Sequence, residues 1–381
     1  VKRILRNLML VSGQKIEPHR TLIIFDEIQD CPDVINSLKY FCENAPKYHI
    51  ACAGSLLGIT LAKPSSFPVG KVNFLQVNPM TFTEFLLANN DDSLVEFLKT
   101  IDSLEPIPQA FFNKLYEKLK MYYVTGGMPE PVQRWSEYND VEAMEESLAS
   151  IITAYERDFA KHPNISEYPK ISMIFRSIPS QLSRENKKFL YKVVKKGARA
   201  REYEDALQWL VDAGIVHKIY RSTAPSLPLI AYDDISAFKI YLADVGLLRK
   251  LCQLSPRAFG EKNRLFTEFK GALTENFVLQ SLICQSDLTP RYWSQNNPSY
   301  EVDFLVQKEN DIYPVEVKAE SNTRATSLKK FKELFSDKVK LRIRYSLDNL
   351  KLDGDVLNIP LFMIDYTDSL IKLALNKLGQ S

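Results

Sequence analysis

A run of four apolar residues, Leu22–Phe25, leads directly into two adjacent carboxylates, Asp26 and Glu27. A continuous apolar run of this length predicts a strand that is buried on both faces, as in a parallel sheet. Ligands of open α/β sheets bind beyond the carboxyl ends of such strands. The stretch therefore predicts an α/β fold with a site at the edge of its sheet. The alternative is a buried strand that ends in a solvated turn, with Asp26 or Asp30 capping a helix.

The two carboxylates have the form of a Walker B segment. In such a segment the first acid, here Asp26, holds the Mg²⁺ of a nucleotide, and the second, Glu27, polarises the water that attacks the γ-phosphate. A helix over Asp33–Asn44 and a second buried strand over His49–Ala53 are predicted to follow. Ser55 then stands where additional-strand P-loop ATPases carry a polar residue that senses the γ-phosphate; the alternative is an ordinary Gly-Ser turn.

The phosphate-binding motif G-x-x-x-x-G-K-[ST] is missing from residues 1–381. Gly70-Lys71 is followed by Val72, and Ser65 stands where the first glycine of that motif belongs. A Walker A motif precedes Walker B by several tens of residues, and the chain begins at Val1. We therefore expect the motif to lie ahead of Val1, and we expect no ATP turnover from residues 1–381 alone.

Several runs together resemble a family of prokaryotic AAA-like P-loop ATPases whose ATPase core is followed by a C-terminal domain of unknown function. These runs are LIIFDEIQ (Leu22–Gln29), AGS (Ala53–Ser55), SFPVGKV (Ser66–Val72), PMTFTEFL (Pro79–Leu86) and TGGMPE (Thr125–Glu130). The resemblance extends over nearly the whole chain. It implies that Asp26 coordinates Mg²⁺, that Glu27 is the catalytic base and that Ser55 is the sensor. The departure from the family is the missing Walker A motif.

Composition is that of a globular protein, with 45% hydrophobic and 25% charged residues. The net charge of +2 creates no global field, so any basic surface must be local. The cysteines form no C-x-x-C pair and the four histidines are dispersed, which predicts reduced thiols in a cytoplasmic protein and no zinc site. No apolar run approaches about 18 residues, so we expect no membrane partner.

The segment from Arg184 to Arg201 is the most basic of the chain, with eight Lys and Arg residues against the single acid Glu185. A predicted helix over Tyr203–Ala213 and predicted strands over 215–220 and 238–242 follow it, which is the element order of a winged helix. Lys and Arg of such an element contact nucleic-acid phosphates. The candidate contacts are Lys187, Lys188, Lys192, Lys195, Lys196, Arg199 and Arg201. The alternative is a solvated face on a winged helix that is used only for packing.

The last third carries a D…E-x-K pattern on two predicted strands, with Asp303 in Tyr300–Val306, and Glu316 and Lys318 in Ile312–Ala319. Alternation along a strand points Glu316 and Lys318 to the same side. A short turn joins the two strands, so Asp303 can face Glu316. The acids lie within apolar strands, where an unpaired charge is expensive.

This order of residues resembles the restriction-endonuclease-like PD-(D/E)xK superfamily, and Glu275, on a predicted helix over Lys270–Leu282, matches its extra acid. In such a site the carboxylates hold Mg²⁺ or Mn²⁺, the metal lowers the pKa of a bound water, and the lysine steadies negative charge. The resemblance implies that Asp303, Glu316 and Glu275 are metal ligands and that Glu316 and Lys318 are catalytic. Val302 replaces the superfamily's proline.

We therefore predict an α/β protein of three modules. Residues 1–90 form the second half of a P-loop ATPase parallel sheet, residues 91–250 a helical and winged-helix middle, and residues 251–381 a restriction-endonuclease-like α/β domain. The predicted function is an ATP- and Mg²⁺-using ATPase coupled to a DNA-associated nuclease-like domain. One rival is a non-catalytic, ATP-dependent DNA-binding or regulatory protein. The other is an interaction switch whose winged helix binds a partner protein. The candidate partners are therefore DNA, another protein or a further copy of the chain.

Overall fold

The computed structural model describes residues 1–54, 70–161, 164–184, 187–259, 264–285, 289–296, 299–319 and 326–379. The chain divides into two compact units, residues 1–77 with 207–215, and residues 78–206 with 216–381. This division does not test the module boundaries that the sequence predicts at residues 90 and 250, and those boundaries stay predictions.

Helices account for much of the described chain. In chain order they are α1 (Lys2–Ser12), α2 (Pro32–Asn44), α3 (Phe82–Ala88), α4 (Asp92–Lys99), α5 (Gln109–Thr125), α6 (Pro129–Tyr138), α7 (Val141–Asp158), α8 (Tyr168–Leu182), α9 (Tyr191–Val194), α10 (Ala200–Asp212), α11 (Val245–Leu251), α12 (Arg264–Gln285), α13 (Thr326–Leu334) and α14 (Thr367–Gly379). Of the helices in the described ranges, none combines the length and the apolar character needed to cross a membrane.

The strands form two sheets. They are β1 (Leu22–Phe25), β2 (His49–Cys52), β3 (Val216–Ser222), β4 (Asp233–Leu242), β5 (Arg291–Asn296), β6 (Ser299–Lys308), β7 (Asp311–Val317), β8 (Arg342–Ser346), β9 (Lys351–Asp353) and β10 (Val356–Pro360). Strands β1 and β2 pair with each other, and the other eight form a mixed sheet in the order β4-β3-β5-β6-β7-β8-β10-β9.

The first unit places the strand that ends in Asp26. Strands β1 and β2 are parallel, as predicted, with Leu22 opposite His49. The buried side of this pair packs into a small core with α1 and α2, in which Ile23 contacts a cluster that includes Leu5 and Phe41. Parallel strands need such a helical crossover between them, and α2 supplies it.

Two predictions about this unit are wrong. Strand β1 is not buried on both faces, because Leu22 is 56% and Ile24 65% exposed, and β2 has no fully buried residue. The described part of the small sheet has only two strands and helical cover on one face, so alternate side chains face solvent. Residues 71–77 have no regular secondary structure.

The second unit is organised by the eight-stranded sheet. Strands β6 and β7 are antiparallel, with Phe304 opposite Val315. Strands β7 and β8 are parallel, with Glu316 opposite Arg344. One face of β6 packs on α13, where Trp293, Val302 and Phe331 belong to one apolar cluster. The other side of the middle strands carries the polar residues described below.

Asp244 fixes the junction of three helices inside this unit. Its fully buried carboxylate accepts hydrogen bonds from the backbone N–H groups of Gly127 (2.6 Å) and Leu247 (2.9 Å) and from Gln280 Nε2 (3.3 Å). These bonds join the loop after α5, the start of α11 and the carboxyl-terminal part of α12. Burial raises the pKa of the Asp244 carboxyl, and the hydrogen bonds oppose that rise.

The close backbone packing at this junction explains why the T-G-G-M-P-E run has glycine at position 126. Gly126 has a φ of 71°, and a Cβ there would lie 2.1 Å from Asp244 Oδ1. A Cβ on Gly246 would lie 2.5 Å from the backbone nitrogen of Gly126. Both glycines therefore allow a close backbone approach that a side chain would prevent.

Replacing Gly126 with alanine tests this junction. Gly126 has a φ of 71° and a ψ of −167°, a conformation that is essentially confined to glycine and costs another residue about 1 to 3 kcal/mol. Forcing the new methyl group against Asp244 adds about 1 to 3 kcal/mol. The matched control is Gly197→Ala, because Gly197 has a φ of 82° and nothing within 4 Å of its Cβ position. Urea unfolding should show the larger loss for Gly126→Ala. Equal losses for the two variants would contradict the steric account.

Candidate functional site

The predicted Walker B carboxylates lie at the carboxyl end of β1. Asp26 and Glu27 are both exposed. Glu27 has a left-handed backbone with a φ of 49°, and its N–H donates to Asp26 Oδ1 at 3.0 Å. The Gln29 side chain donates to the Glu27 carboxylate. The turn after β1 thus presents both acids at the edge of the small sheet, where the parallel-strand rule places a ligand.

The end of β2 lies beside these acids. The Ala53 N–H donates to the Phe25 carbonyl (2.9 Å), and the Ile28 N–H donates to the Ala53 carbonyl (3.1 Å). The two strands therefore end at the same edge, with Ala53 held between residues on either side of Asp26 and Glu27. Ser55, the predicted sensor, lies outside the described residues.

A second cluster of charged groups lies in the second unit, around Glu275 of α12. Its Oε2 pairs with the ammonium of Lys187, and its Oε1 accepts from Lys239 Nζ at 3.2 Å and from the Tyr241 hydroxyl. Burial alone would raise the pKa of this carboxyl, but the charges of Lys187 and Lys239 outweigh it and lower the pKa to about 2. Glu275 is therefore a carboxylate that already has three donors.

Lys239 of β4 is the most enclosed member of the cluster, with no exposed surface. Its ammonium lies 2.5 Å from Glu301 Oε1 and 4.9 Å from the centre of the Tyr292 ring. Burial works to lower the pKa of Lys239, yet the neighbouring carboxylates, Glu275 first, hold it well above its usual value. An ammonium paired with two carboxylates and an aromatic face is the form in which a buried charge is tolerated.

Sequence reasoning missed Lys239, Tyr241 and Glu301. A signal was present, because Lys239 is a single charge in the apolar run Ala237–Leu242, and Glu301 stands two residues from Asp303 on the same strand. A lysine in a buried strand needs an acidic partner. Which acid that is depends on the order of strands in the sheet.

Asp303 lies on β6, and its Oδ2 accepts from the Val317 N–H at 2.8 Å. This bond ties Asp303 to the neighbouring strand β7 at Val317, the residue after Glu316. Burial raises the pKa of Asp303 to about 7, the negative charge of Glu275 adds to the rise, and Lys239 and Lys187 partly oppose it. At neutral pH this carboxyl group is close to half protonated, so a nearby cation would ionise it fully.

Glu316 and Lys318 point to the same side of β7, since Lys318 Nζ lies 2.9 Å from Glu316 Oε1. The Glu316 side chain is 6% exposed, and its other oxygen, Oε2, has no hydrogen-bond partner among the described residues. Arg344, opposite Glu316 on β8, likewise has a buried Nε with no partner in the described part of the chain. A buried carboxylate oxygen without a donor is costly, which marks a position for a ligand.

The three predicted metal ligands differ in what they offer a divalent ion. Asp303 and Glu316 lie on paired neighbouring strands, and Glu316 Oε2 has no hydrogen-bond donor among the described residues. Glu275 does not fit, since its two oxygens already accept from Lys187, Lys239 and Tyr241. Across the described ranges, no three His, Cys, Asp or Glu side chains form a ready set of metal ligands. Mg²⁺ nevertheless keeps several of its waters and needs only one or two carboxylates from the protein.

The basic segment does not form one surface. Lys187 is part of the Glu275 cluster, and Lys188 is half-buried. The exposed members are Lys192, Lys195, Lys196, Arg199 and Arg201. They lie on and around α9 and at the start of α10. The structure thus divides the predicted nucleic-acid contacts between an exposed basic surface and the acidic cluster.

Comparison with known families divides the chain into three parts. An AAA domain matches residues 2–86, a domain of unknown function (DUF8612) matches residues 116–258, and a second domain of unknown function (DUF4143) matches residues 270–362. No curated protein matches the chain in sequence. Among solved structures, a Walker-type ATPase of Pyrococcus abyssi is similar, with 14% identity over 66% of this chain and 67% of that chain, and a TM-score of 0.39.

The AAA match supports an AAA-like, ATPase-like domain over residues 2–86, and with it the general use of a nucleotide and Mg²⁺. That range contains Asp26 and Glu27 at the sheet edge. The winged helix, the nuclease-like domain and DNA binding stay predictions.

The raised pKa of Asp303 makes stability depend on pH in a defined window. Unfolded Asp303 ionises near pH 4 and folded Asp303 near pH 7, so the folded state binds the extra proton between these values. The stabilisation that comes from protonated Asp303 is fully present below about pH 4 and is lost as the pH rises through about 7. From pH 5 to pH 8, unfolding in a metal-free buffer should show that the wild type loses about 2 to 3 kcal/mol relative to Asp303→Asn.

Asp234→Asn is the control for this experiment. Hydrogen bonds from Ser236 lower the pKa of Asp234, with Arg221 adding to the effect. Its titration therefore lies below this window, and its variant should parallel the wild type from pH 5 to pH 8. A constant difference between wild type and Asp303→Asn would contradict the shift.

Proposed function

We propose that this protein joins an AAA-like ATPase domain to a nuclease-like domain that acts on DNA with a divalent metal ion. The observation that carries the nuclease-like part is the pairing of Asp303 with the backbone beside Glu316, whose buried Oε2 has no partner within the described residues. The same strand carries Lys318 next to Glu316. These three residues stand in the D…E-x-K order of metal-dependent nucleases.

Asp303 and Glu316 would hold Mg²⁺ or Mn²⁺ at this site. A bound ion of this kind lowers the pKa of its water and neutralises charge on a phosphate. Asp303 has a pKa of about 7 and would give up its proton when the cation binds. Glu316 would contribute its buried Oε2, which has no donor among the described residues.

Lys318 is the residue placed to meet the substrate. Its ammonium is 2.9 Å from Glu316, and its side chain is 34% exposed. The group is therefore oriented by one carboxylate while it remains accessible to a phosphate. In this role Lys318 orients the phosphate and stabilises the negative charge that develops on it.

The exposed basic surface supports DNA as the substrate. Five exposed cationic residues lie between Lys192 and Arg201, on the segment that also supplies Lys187 to the acidic cluster. Helices α8, α9 and α10, followed by the antiparallel strands β3 and β4, have the element order of a winged helix. Such a surface would bind the backbone through phosphate charge without reading the bases.

The ATPase part of the proposal rests on the amino-terminal edge. Asp26 and Glu27 follow a parallel strand, lie exposed beside the end of β2, and fall within the range of the AAA match. Asp26 would bind the Mg²⁺ of ATP and Glu27 would orient the attacking water. Nucleotide state at this edge would then regulate the DNA-associated domain.

A second candidate is a DNA-binding protein that does not cleave. One specific feature favours it, because Glu275 and Glu301 are both already paired with lysine. A cluster balanced by its own ammonium groups is also what a purely structural ion network looks like. The experiments below separate cleavage from binding.

Cleavage is tested with supercoiled plasmid and residues 1–381 in Mn²⁺ or Mg²⁺. Nicked or linear plasmid should form, and Asp303→Asn and Glu316→Gln should each abolish it because the ion loses a ligand. Glu333→Gln, which changes an exposed acid of α13, is the control and should cut like the wild type. Cutting that persists when Asp303 and Glu316 are both replaced by alanine would remove this assignment. Binding without cutting would favour the second candidate.

DNA binding is tested by replacing Lys192, Lys195 and Lys196 together with glutamine. Each lost phosphate contact lowers the slope of log affinity against log salt by about 0.9, so the triple variant should lose as much as about 3 from it. The control triple variant replaces Lys114, Lys329 and Lys351, which are equally exposed but lie elsewhere in the same unit. Fluorescence anisotropy over a salt series measures the slope. An affinity that does not depend on salt would exclude a phosphate-binding surface.

A further inference from the structure

The cluster around Glu275 contains its own cations. Four carboxylates, those of Glu275, Glu301, Asp303 and Glu316, lie with three ammonium groups, those of Lys187, Lys239 and Lys318.

Lys239 lies where a metal ion would lie if Glu275 and Glu301 were metal ligands. Its ammonium is 3.2 Å from Glu275 Oε1 and 2.5 Å from Glu301 Oε1. The Tyr292 ring is 4.9 Å away, and the lysine side chain has no exposed surface. The position between these two carboxylates is therefore already filled by a cation of the chain.

The segment that carries Lys187 is anchored to the same strand. The Phe189 N–H donates to the Phe238 carbonyl at 2.7 Å, so this segment lies along β4 next to Lys239. The Gln181 side chain bonds both the N–H (3.1 Å) and the carbonyl (3.0 Å) of Leu190. These backbone bonds hold the two lysines on opposite oxygens of Glu275.

We propose that Lys239 is a built-in cation of this site, so that the site binds one divalent ion on Asp303 and Glu316 and excludes a second ion from Glu275 and Glu301. The physical reason is the repulsion between a divalent ion and a buried ammonium, which a low-dielectric interior screens poorly. This inference rests on the proposed function, because it takes Asp303 and Glu316 as the metal ligands.

Glu275 and Lys239 are then positioning residues. Glu275 holds both lysines, and Lys239 fixes Glu301 on the strand that carries Asp303. Glu275, the predicted extra acid of the nuclease-like pattern, therefore pairs with the two lysines and does not bind the metal ion. Glu316 Oε2 is the contrasting case, a buried oxygen that has no hydrogen-bond donor among the described residues.

The test counts Mn²⁺ ions bound to residues 1–381 by equilibrium dialysis, with no DNA present. The wild type should bind one ion per chain, and Glu316→Gln should weaken that binding at least about tenfold. Lys239→Gln opens the position between Glu275 and Glu301 and should bind two ions. Glu275→Gln should still bind one. The matched control Lys250→Gln, which breaks the pair of Lys250 with Glu145 elsewhere in the fold, should also bind one.

Two ions on the wild type, one ion on a folded Lys239→Gln, or loss of the ion in Glu275→Gln would each overturn the inference while leaving a metal site in place. No ion on the wild type would instead overturn the proposed metal site, and the inference with it. Circular dichroism shows whether each variant is folded. If Lys239→Gln does not fold, the Glu275→Gln count decides, since a metal ligand and a lysine partner give opposite results there.

Discussion

The buried ammonium of Lys239 holds together the part of the protein on which the candidate nuclease-like site depends. It joins strand β4 to helix α12 through Glu275 and to strand β6 through Glu301. Removing one partner of a buried ion pair costs about 3 to 5 kcal/mol, because the other charge is left unpaired in the interior. The packing of β4, α12 and β6 therefore depends on the single ammonium group of Lys239. Tyr292 and Asp303 lie close to this group.

This interaction also explains how the middle and the last third of the chain form one sheet. Strands β3 and β4, which were predicted as the hairpin of a winged helix, continue through β5 into the strands of the D…E-x-K pattern. Lys187, from the basic segment, reaches the same acidic cluster. The candidate site thus takes residues from both predicted modules, and its charge depends on both.

The two candidate sites have opposite physical characters. At the amino-terminal edge Asp26 and Glu27 are exposed on a turn, with their geometry set by the end of a parallel strand. In the second unit the acids lie among strands and helices, where burial and neighbouring charges move the pKa of Asp303 to about 7 and that of Glu275 to about 2. Solvent screens the charges of Asp26 and Glu27. In the low-dielectric interior, each buried acid of the second unit interacts more strongly with its charged partners.

Much of this fold follows from the sequence, because local patterns decide it. Apolar periodicity predicted α2 and α10 to within a few residues and the central part of α12. It also predicted the pairing of Asp303 with the strand of Glu316 through the short turn between them. The errors fall where burial depends on neighbours: β1 is as apolar as a central strand, yet Leu22 and Ile24 are exposed.

The sequence by itself determined which chemical groups are available: two adjacent acids after an apolar strand, a basic segment, and a D…E-x-K pattern on two consecutive strands. Only the tertiary structure decided how those groups are paired. Lys187 and Lys239 pair with Glu275, so Lys187 lies apart from the exposed basic surface. Glu316 Oε2 has no donor among the described residues. The physical reason is that a strand's alternation is local, whereas the partner of a buried charge is set by residues tens of positions away.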